Sequence, residues 1–354
     1  MRVLFLVPYP TEGPSNRYRV EQYLPYLTAA NIDFTLRPFM SSKFYSIFYK
    51  KGKWLLKTIY FFQSSFNRFL DIFRALRHDV VFIHIEAFPL GPPFIEWFFF
   101  KLKKPIIFDF EDAIYLPRKG ISNFFKNPSK FFKIVTMSRH VIVCNNYMKV
   151  FLEPYNKNIT VIPTSIDIDK FMPRASGAGN KDVVTIGWIG SHTTLPFLLA
   201  LKDVFKKIYV RHKFTLKIVG GGTKVTIDGI NVMNEEWSLD KEVENFQSID
   251  IGVYPILNDE WAKAKTPFKT IQYMSVGVPC VVSDVGANRD IIKDGVNGYL
   301  VRREEEWIDK ISKLMEDSNL RKNIGLEGRK TVEDKFSLKV NSSNFLEIIK
   351  KVGA

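Results

Sequence analysis

The sequence predicts an α/β protein made of two doubly wound parallel-sheet units of similar size. Three observations carry that prediction. Apolar, β-branched runs alternate with helical patterns along the whole chain, and strands buried on both faces read as near-continuous apolar runs. The alternation pauses once, at PRASGAGNK (173–181), where Pro, Gly, Ser and Ala lack apolar periodicity and read as a linker. The length, 354 residues, is that of about two domains.

The elements follow in order. VLFLV (3–7) reads as a buried first strand, followed by the Gly-Pro loop EGPSNRYR and a helix to Ala30. Further strands are expected at 32–36, 79–85, 105–110, 140–144 and 159–163. After the linker, strands are expected at 183–190, 214–220, 249–255, 279–283 and 297–301. Helices fit over 195–210 and 304–317, with a terminal helix from SLKVNSSNF to the end. In open parallel sheets ligands bind beyond the carboxyl ends of the strands. Two such sheets facing each other would form a cleft suited to a two-substrate reaction.

Composition narrows the class. Hydrophobic residues make up 46% and charged residues 25%, a globular balance. Cys144 and Cys280 lie far apart in apolar runs, which excludes a disulfide framework and fits a reducing compartment. No run of 18 apolar residues exists, so no spanning helix is expected. The opening MRVLFLVPYP reads as a strand, not a signal peptide.

The net charge of +14 is unevenly spread. Residues 1–177 hold 25 Lys and Arg against 13 Asp and Glu, a net of +12; residues 178–354 hold 26 against 24, a net of +2. Of 31 phenylalanines, 24 lie in the first half. Lysines attract acidic headgroups while aromatics enter the interface, so this half suits an anionic membrane surface. Residues 41–77 carry eight basic residues and one acid, Asp71, and ISNFFKNPSKFFKI (121–134) pairs Phe with Lys again. The plainer reading puts Phe44, Phe48, Trp54, Phe61 and Phe69 in the core beneath a solvated lysine face. Nucleic-acid binding is a third reading, but no RNA- or DNA-binding motif supports it.

Several segments carry chemistry. GWIG leads into Ser191-His192-Thr193-Thr194 ahead of a helix, where glycine lets the backbone approach a ligand and free N–H groups face an anion. Helix capping is the compatible plain reading. Gly220-Gly221-Gly222 follows a strand but matches neither GxGxxG nor a GK[ST] loop, so nicotinamide and ATP sites lack their fingerprints. Lys265 and Lys269 flank Pro267; a helix beginning there would direct its N-terminus and two ammonium groups at one anion such as a diphosphate. Asp109-Phe110-Glu111-Asp112 places three carboxylates at a strand's carboxyl end. They read either as functional groups or as a cap (Asp112) and an ion pair of Asp109 with Arg17 or Arg19.

Taken together, GWIGS (187–191), KTPFKTIQYMSVGVPCVVSDVGANRDII (265–292), DGVNGYLV (294–301), GPSNRYRVEQYLPYL (13–27), FDFEDAIY (108–115) and VIPTSIDIDKF (161–171) resemble glycosyltransferases of the GT-B fold, close to the retaining family 4 enzymes. The resemblance implies two Rossmann-like domains: an acceptor-binding domain at 1–177, a nucleotide-sugar domain at 178–335, and a C-terminal helix at 336–354 that packs back toward the first. It implies a nucleotide-diphosphate sugar as donor, contacted by Gly190, Ser191, Lys265, Phe268, Lys269 and Gln272. Many family members carry two glutamates here; the matching positions are Ala264 and Gln272, and only the amide can still bond a ribose hydroxyl. Asp109, Asp112 and Lys269 are the implied catalytic residues, and Arg17, Arg19 and Glu111 the implied acceptor contacts. No cofactor and no obligatory metal are implied. The expected acceptor is a saccharide or polyprenyl-linked saccharide at the inner face of the cell membrane, in surface polysaccharide or glycoconjugate synthesis, with a soluble acceptor as the milder version. A nucleotide-sugar epimerase of the same fold is the enzyme alternative.

Overall fold

Two six-stranded parallel sheets organise the chain in the computed structural model, which describes residues 1–116, 129–174 and 183–354. Most of the expected linker and the Phe–Lys stretch at 121–128 lie outside the described residues. The first unit comprises Met1–Ser165 with Asn341–Ala354, and the second Ile166–Val340.

In the first unit the strands are β1 (Arg2–Val7), β2 (Asp33–Pro38), β3 (Val80–His84), β4 (Ile106–Asp109), β5 (His140–Val143) and β6 (Ile159–Val161), in the order β2-β1-β3-β4-β5-β6. Val3–Val7 and Val80–His84 are buried throughout, as expected of strands covered on both faces. The chain reverses its direction of growth between β1 and β3, so the carboxyl ends of those strands form the topological switch point.

The second unit contains β7 (Val184–Gly190), β8 (Phe214–Gly220), β9 (Asn231–Glu235), β10 (Ile251–Tyr254), β11 (Cys280–Ser283) and β12 (Tyr299–Val301), in the order β12-β11-β10-β7-β8-β9. Its switch point lies between β7 and β10. Ile186, Trp188, Leu216, Ile218 and Ile251 form one of its cores with the helices around them.

The departures from expectation are local. β9 was not expected: NVMNE is an edge strand with no fully buried residue, so it lacks the apolar run that marks the others. The single helix expected over 195–210 is two helices, Leu195–Leu199 and Lys202–Arg211. The units divide at Ser165/Ile166, whereas composition placed the join after 177. Ile166 and Phe171 are buried in a second-unit core, and the Ile166 N–H donates to the Phe336 carbonyl. The last helix, Leu338–Gly353, brings Phe345 onto the first unit, where its ring stacks on Tyr23 at 4.3 Å.

Candidate functional site

Each unit gathers polar groups at its own switch point. In the second, β7 ends at Gly190, where a Cβ would sit 2.2 Å from the Trp188 ring. Gly220, Gly221 and Gly222 close β8 with φ of +83°, +83° and +74°, a left-handed run that only glycine adopts without strain. The Gly221 N–H donates to the Gly190 carbonyl at 3.1 Å, and a Cβ on Gly220 would lie 2.2 Å from that oxygen. The glycines therefore serve a close approach of two strand-end turns. Ser191 is exposed beside them; its hydroxyl lies 2.7 Å from that of Thr193, and its N–H donates to Thr194 Oγ1. Thr194 makes no side-chain cap to the five-residue helix that follows.

The lysines lie on the segment that leaves β10. The helix Phe268–Ser275 starts after Pro267, which supplies no side-chain cap. Tyr273 pins it to β7: its hydroxyl donates to the Gly187 carbonyl and accepts from the Ile189 N–H, both at 3.1 Å. Lys269, in the first turn, is partly buried. Its ammonium donates to Gln272 Oε1 at 2.9 Å and lies 5.2 Å from the centre of the Phe246 ring. Gln272 in turn donates to Glu242 Oε1 at 3.2 Å. Burial lowers the Lys269 ammonium to about 8, with Glu242 opposing and Lys265 assisting. Lys265 rests its ammonium 4.4 Å over the Trp261 ring. Between the two lysines, Thr266 Oγ1 is buried without a hydrogen-bond partner among the described residues, an orphan polar atom of the kind a ligand satisfies.

Gln272, expected on a donor ribose, is fully buried, and its amide joins Lys269 to Glu242. Phe268 is half-buried against the core, and Ala264 is fully buried.

The first unit presents a different array. His84 ends β3 and Asp109 ends β4, directly opposite one another in the parallel register. His84 Nδ1 lies 2.7 Å from Asp109 Oδ2, and His84 Nε2 lies 2.7 Å from Ser15 Oγ. A carboxylate only accepts, so Asp109 fixes a proton on Nδ1 and leaves Nε2 to face Ser15. The Ser15 hydroxyl donates its one proton to Glu111, and Arg19 holds Asp109 from the other side. The chain Arg19–Asp109–His84–Ser15–Glu111 thus runs from a fully buried ion pair to a partly exposed carboxylate. Burial would raise the Asp109 carboxyl, but the Arg19 charge and His84 outweigh it and hold it below the usual range. Ile85, next to His84, has φ +67°. For a β-branched residue that is a true outlier, and such strain gathers where a side chain must be held in place.

Two expected roles change here. Arg19 cannot meet an acceptor: it is 2% exposed, and its guanidinium is taken up by Asp109 and the Ile162 carbonyl. Asp109 is fully buried and bonded to both His84 and Arg19, so its ion pair is with Arg19, one of the two partners considered. Arg17 is partly buried; it donates to the carbonyls of Thr11 and Glu12, and its Nη2 is buried without a partner among the described residues. Glu111 and Asp112 remain partly exposed. Sequence reasoning missed Ser15, His84, Glu242 and Tyr273. Of these only His84 carried a signal, a polar residue closing the apolar strand DVVFIHI.

Residues 181–317 match the family model described as glycosyl transferases group 1. Among curated proteins, the capsular polysaccharide biosynthesis glycosyltransferase CapM of Staphylococcus aureus is 26% identical over 57% of this chain and 56% of its own. Spore coat protein SA of Bacillus subtilis is 26% identical over 27% of this chain and 26% of its own. The chain thus spans about a quarter to about half the length of these curated relatives. Among solved structures, a glycosyltransferase from Rickettsia africae aligns over 99% of this chain and 98% of its own, with a TM-score of 0.73 at 16% identity. Anabaena HepE in complex with UDP-glucose aligns over 99% and 100%, with a TM-score of 0.71 at 13% identity. The architecture is that of the GT-B fold, and the sequence matches support a transferase enzyme.

Proposed function

We propose that the chain transfers a sugar from a nucleotide-diphosphate sugar to a saccharide acceptor, with retention at the anomeric carbon. The observation that carries this reading is Lys269: an ammonium held by Gln272 in the first turn of a helix to which Pro267 gives no side-chain cap, at the carboxyl end of a nucleotide-type sheet. A departing diphosphate gains there from the lysine charge, the helix N-terminus and Lys265. These groups, rather than a metal, take up its negative charge. Gly190, Ser191 and the Gly220–Gly222 turn border the diphosphate, and Phe268 borders the sugar. The group 1 match over 181–317 and the UDP-glucose bound by HepE support a donor of this class.

The acceptor hydroxyl enters on the face from which the diphosphate leaves, and a diphosphate oxygen takes its proton. This route needs no free carboxylate base, in keeping with an Asp109 already engaged by Arg19 and His84. Glu111, Asp112 and Arg17 are the first-unit groups left to contact the acceptor. The recipient is a lipid-linked saccharide at the cytoplasmic face of an anionic membrane, in surface polysaccharide or glycoconjugate synthesis. A thermal-shift panel of UDP-, GDP-, ADP- and dTDP-sugars tests the donor. One nucleotide class is expected to raise Tm, and no shift from any of the four refutes the reading.

A further inference from the structure

The helix Trp54–Ala75 is inside out. A surface helix normally turns its apolar stripe to the core and its polar face to water. Here the buried residues of the helix are Ser64, Ser65, Arg68, Asp71 and Ala75. Arg68 donates to the carbonyls of Val7 and Arg37 and pairs with Asp71, which also receives Arg37 and Arg74. These polar bonds seat the helix on the first unit. The opposite side carries Leu55, Ile59, Phe62, Phe66, Phe69 and Phe73, spaced 4, 3, 4, 3 and 4 residues apart. Each is between 47 and 76% exposed. A continuous stripe of this kind is an interaction surface, unlike single exposed apolar residues.

We propose that this stripe lies in the plane of an anionic lipid surface, with the helix buried to about the headgroup–acyl boundary. Charge selects the occupant. Lys50, Lys51 and Lys53 stand exposed before the stripe and Arg77 after it, while Asp71, the one acid of residues 41–77, faces inward. Lys57 lies 5.1 Å over the Trp54 ring, and Trp54 is 76% exposed, a pairing suited to the interface. The stripe's spacing would also fit a helix–helix seam. A symmetric partner, however, would set these cations against their own copies with no exposed acid on the helix to pair them. A bilayer with acidic headgroups supplies both the apolar layer and the opposite charge. The helix, about 33 Å long at 1.5 Å per residue, lies on the membrane; among the described residues no helix is long and apolar enough to cross it.

The inference deepens the membrane side of the proposed function, and its test fails separately. The full chain is co-sedimented with vesicles of phosphatidylcholine alone and with about 30% phosphatidylglycerol added. Binding to the anionic vesicles is expected to be at least about tenfold stronger and to weaken with salt. The combined changes F62S, F66S and F73S, and separately K50E, K51E and K53E, are each expected to reduce it about tenfold or more. All six positions are exposed, and an unchanged melting temperature of each ligand-free variant reports that the fold is intact. Quenching of the wild-type fluorescence by bromo-acyl lipid, largely lost in W54F, reports the same docking without altering the stripe. Equal binding to neutral vesicles, unchanged binding by either triple variant, or a solution dimer that F62S/F66S/F73S converts to monomer would each overturn the proposal. Loss of vesicle binding alone leaves the donor reading standing.

Discussion

Lys269 gives the sharpest test of the donor site, because its environment sets the pH at which it stops holding an anion. An ordinary lysine titrates near 10.5, and burial brings this one to about 8. With that value about nine-tenths of the molecules carry the charge at pH 7 and about one-tenth at pH 9. If the ammonium anchors the diphosphate, donor affinity falls about tenfold across those two pH units. The diphosphate of a nucleotide sugar keeps its charge throughout this range, so the slope belongs to the protein. Stability of the ligand-free protein moves the opposite way. The unfolded state holds this proton up to a higher pH than the folded state, so the Lys269 contribution to stability rises as pH climbs from about 8 to about 10.5. Isothermal titration at pH 7, 8 and 9 and constant ionic strength reads the slope. Lys269→Arg stays charged and is expected to flatten it. Lys269→Met removes a charge-assisted hydrogen bond, a loss of about 1.5–3 kcal/mol, or about ten- to hundredfold in affinity at pH 7. A flat wild-type profile, or a slope that persists in the arginine variant, refutes the assignment.

Asp109→Asn leaves Arg19 buried without its counter-charge and is expected to cost about 3–5 kcal/mol in urea unfolding; a loss below about 1 kcal/mol would contradict the ion pair. Because the folded Asp109 carboxyl titrates below its unfolded value, its stabilisation is complete above about pH 4 and fades as pH falls through the folded value, so this variant also lacks that part of the acid-unfolding limb. Ser15→Ala cuts the link from His84 to Glu111 without stranding a buried charge, at about 1 kcal/mol, and turnover per folded molecule is expected to fall at least about tenfold if the chain of groups orients the acceptor; unchanged turnover makes it purely structural. Gly220→Ala meets both a +83° φ and a backbone oxygen 2.2 Å away, so a loss of about 2–4 kcal/mol is expected, and a Tm within a degree of wild type would show that the turn is not close-packed.

What could be read from the sequence, and what could not, follows from which signals are local. Strands covered on both faces announce themselves as apolar runs, so VLFLV and VVTIGWIG were found, while the edge strand NVMNE carries no such run. Lys265 and Lys269 were visible because a proline placed a helix start between them. Glu242 was not, since it reaches Gln272 across 30 residues of chain. The Arg19–Asp109–His84 array needs β3 and β4 in register before its members meet, and register is a tertiary fact. Trp54–Ala75 marks the limit most clearly. Periodicity locates an apolar stripe on a helix, but it does not say whether the stripe meets a core or a solvent that resembles one. The plainer reading was right for Phe44, which is 1% exposed, and wrong for Trp54, at 76%. The discriminating information lay on the other face. Ser64, Ser65 and Ala75 are small enough for close packing, and Arg68 and Asp71 can neutralise one another when buried. A helix whose polar side supplies its own counter-charge can dock by that side, which leaves its apolar stripe to meet a partner outside the fold.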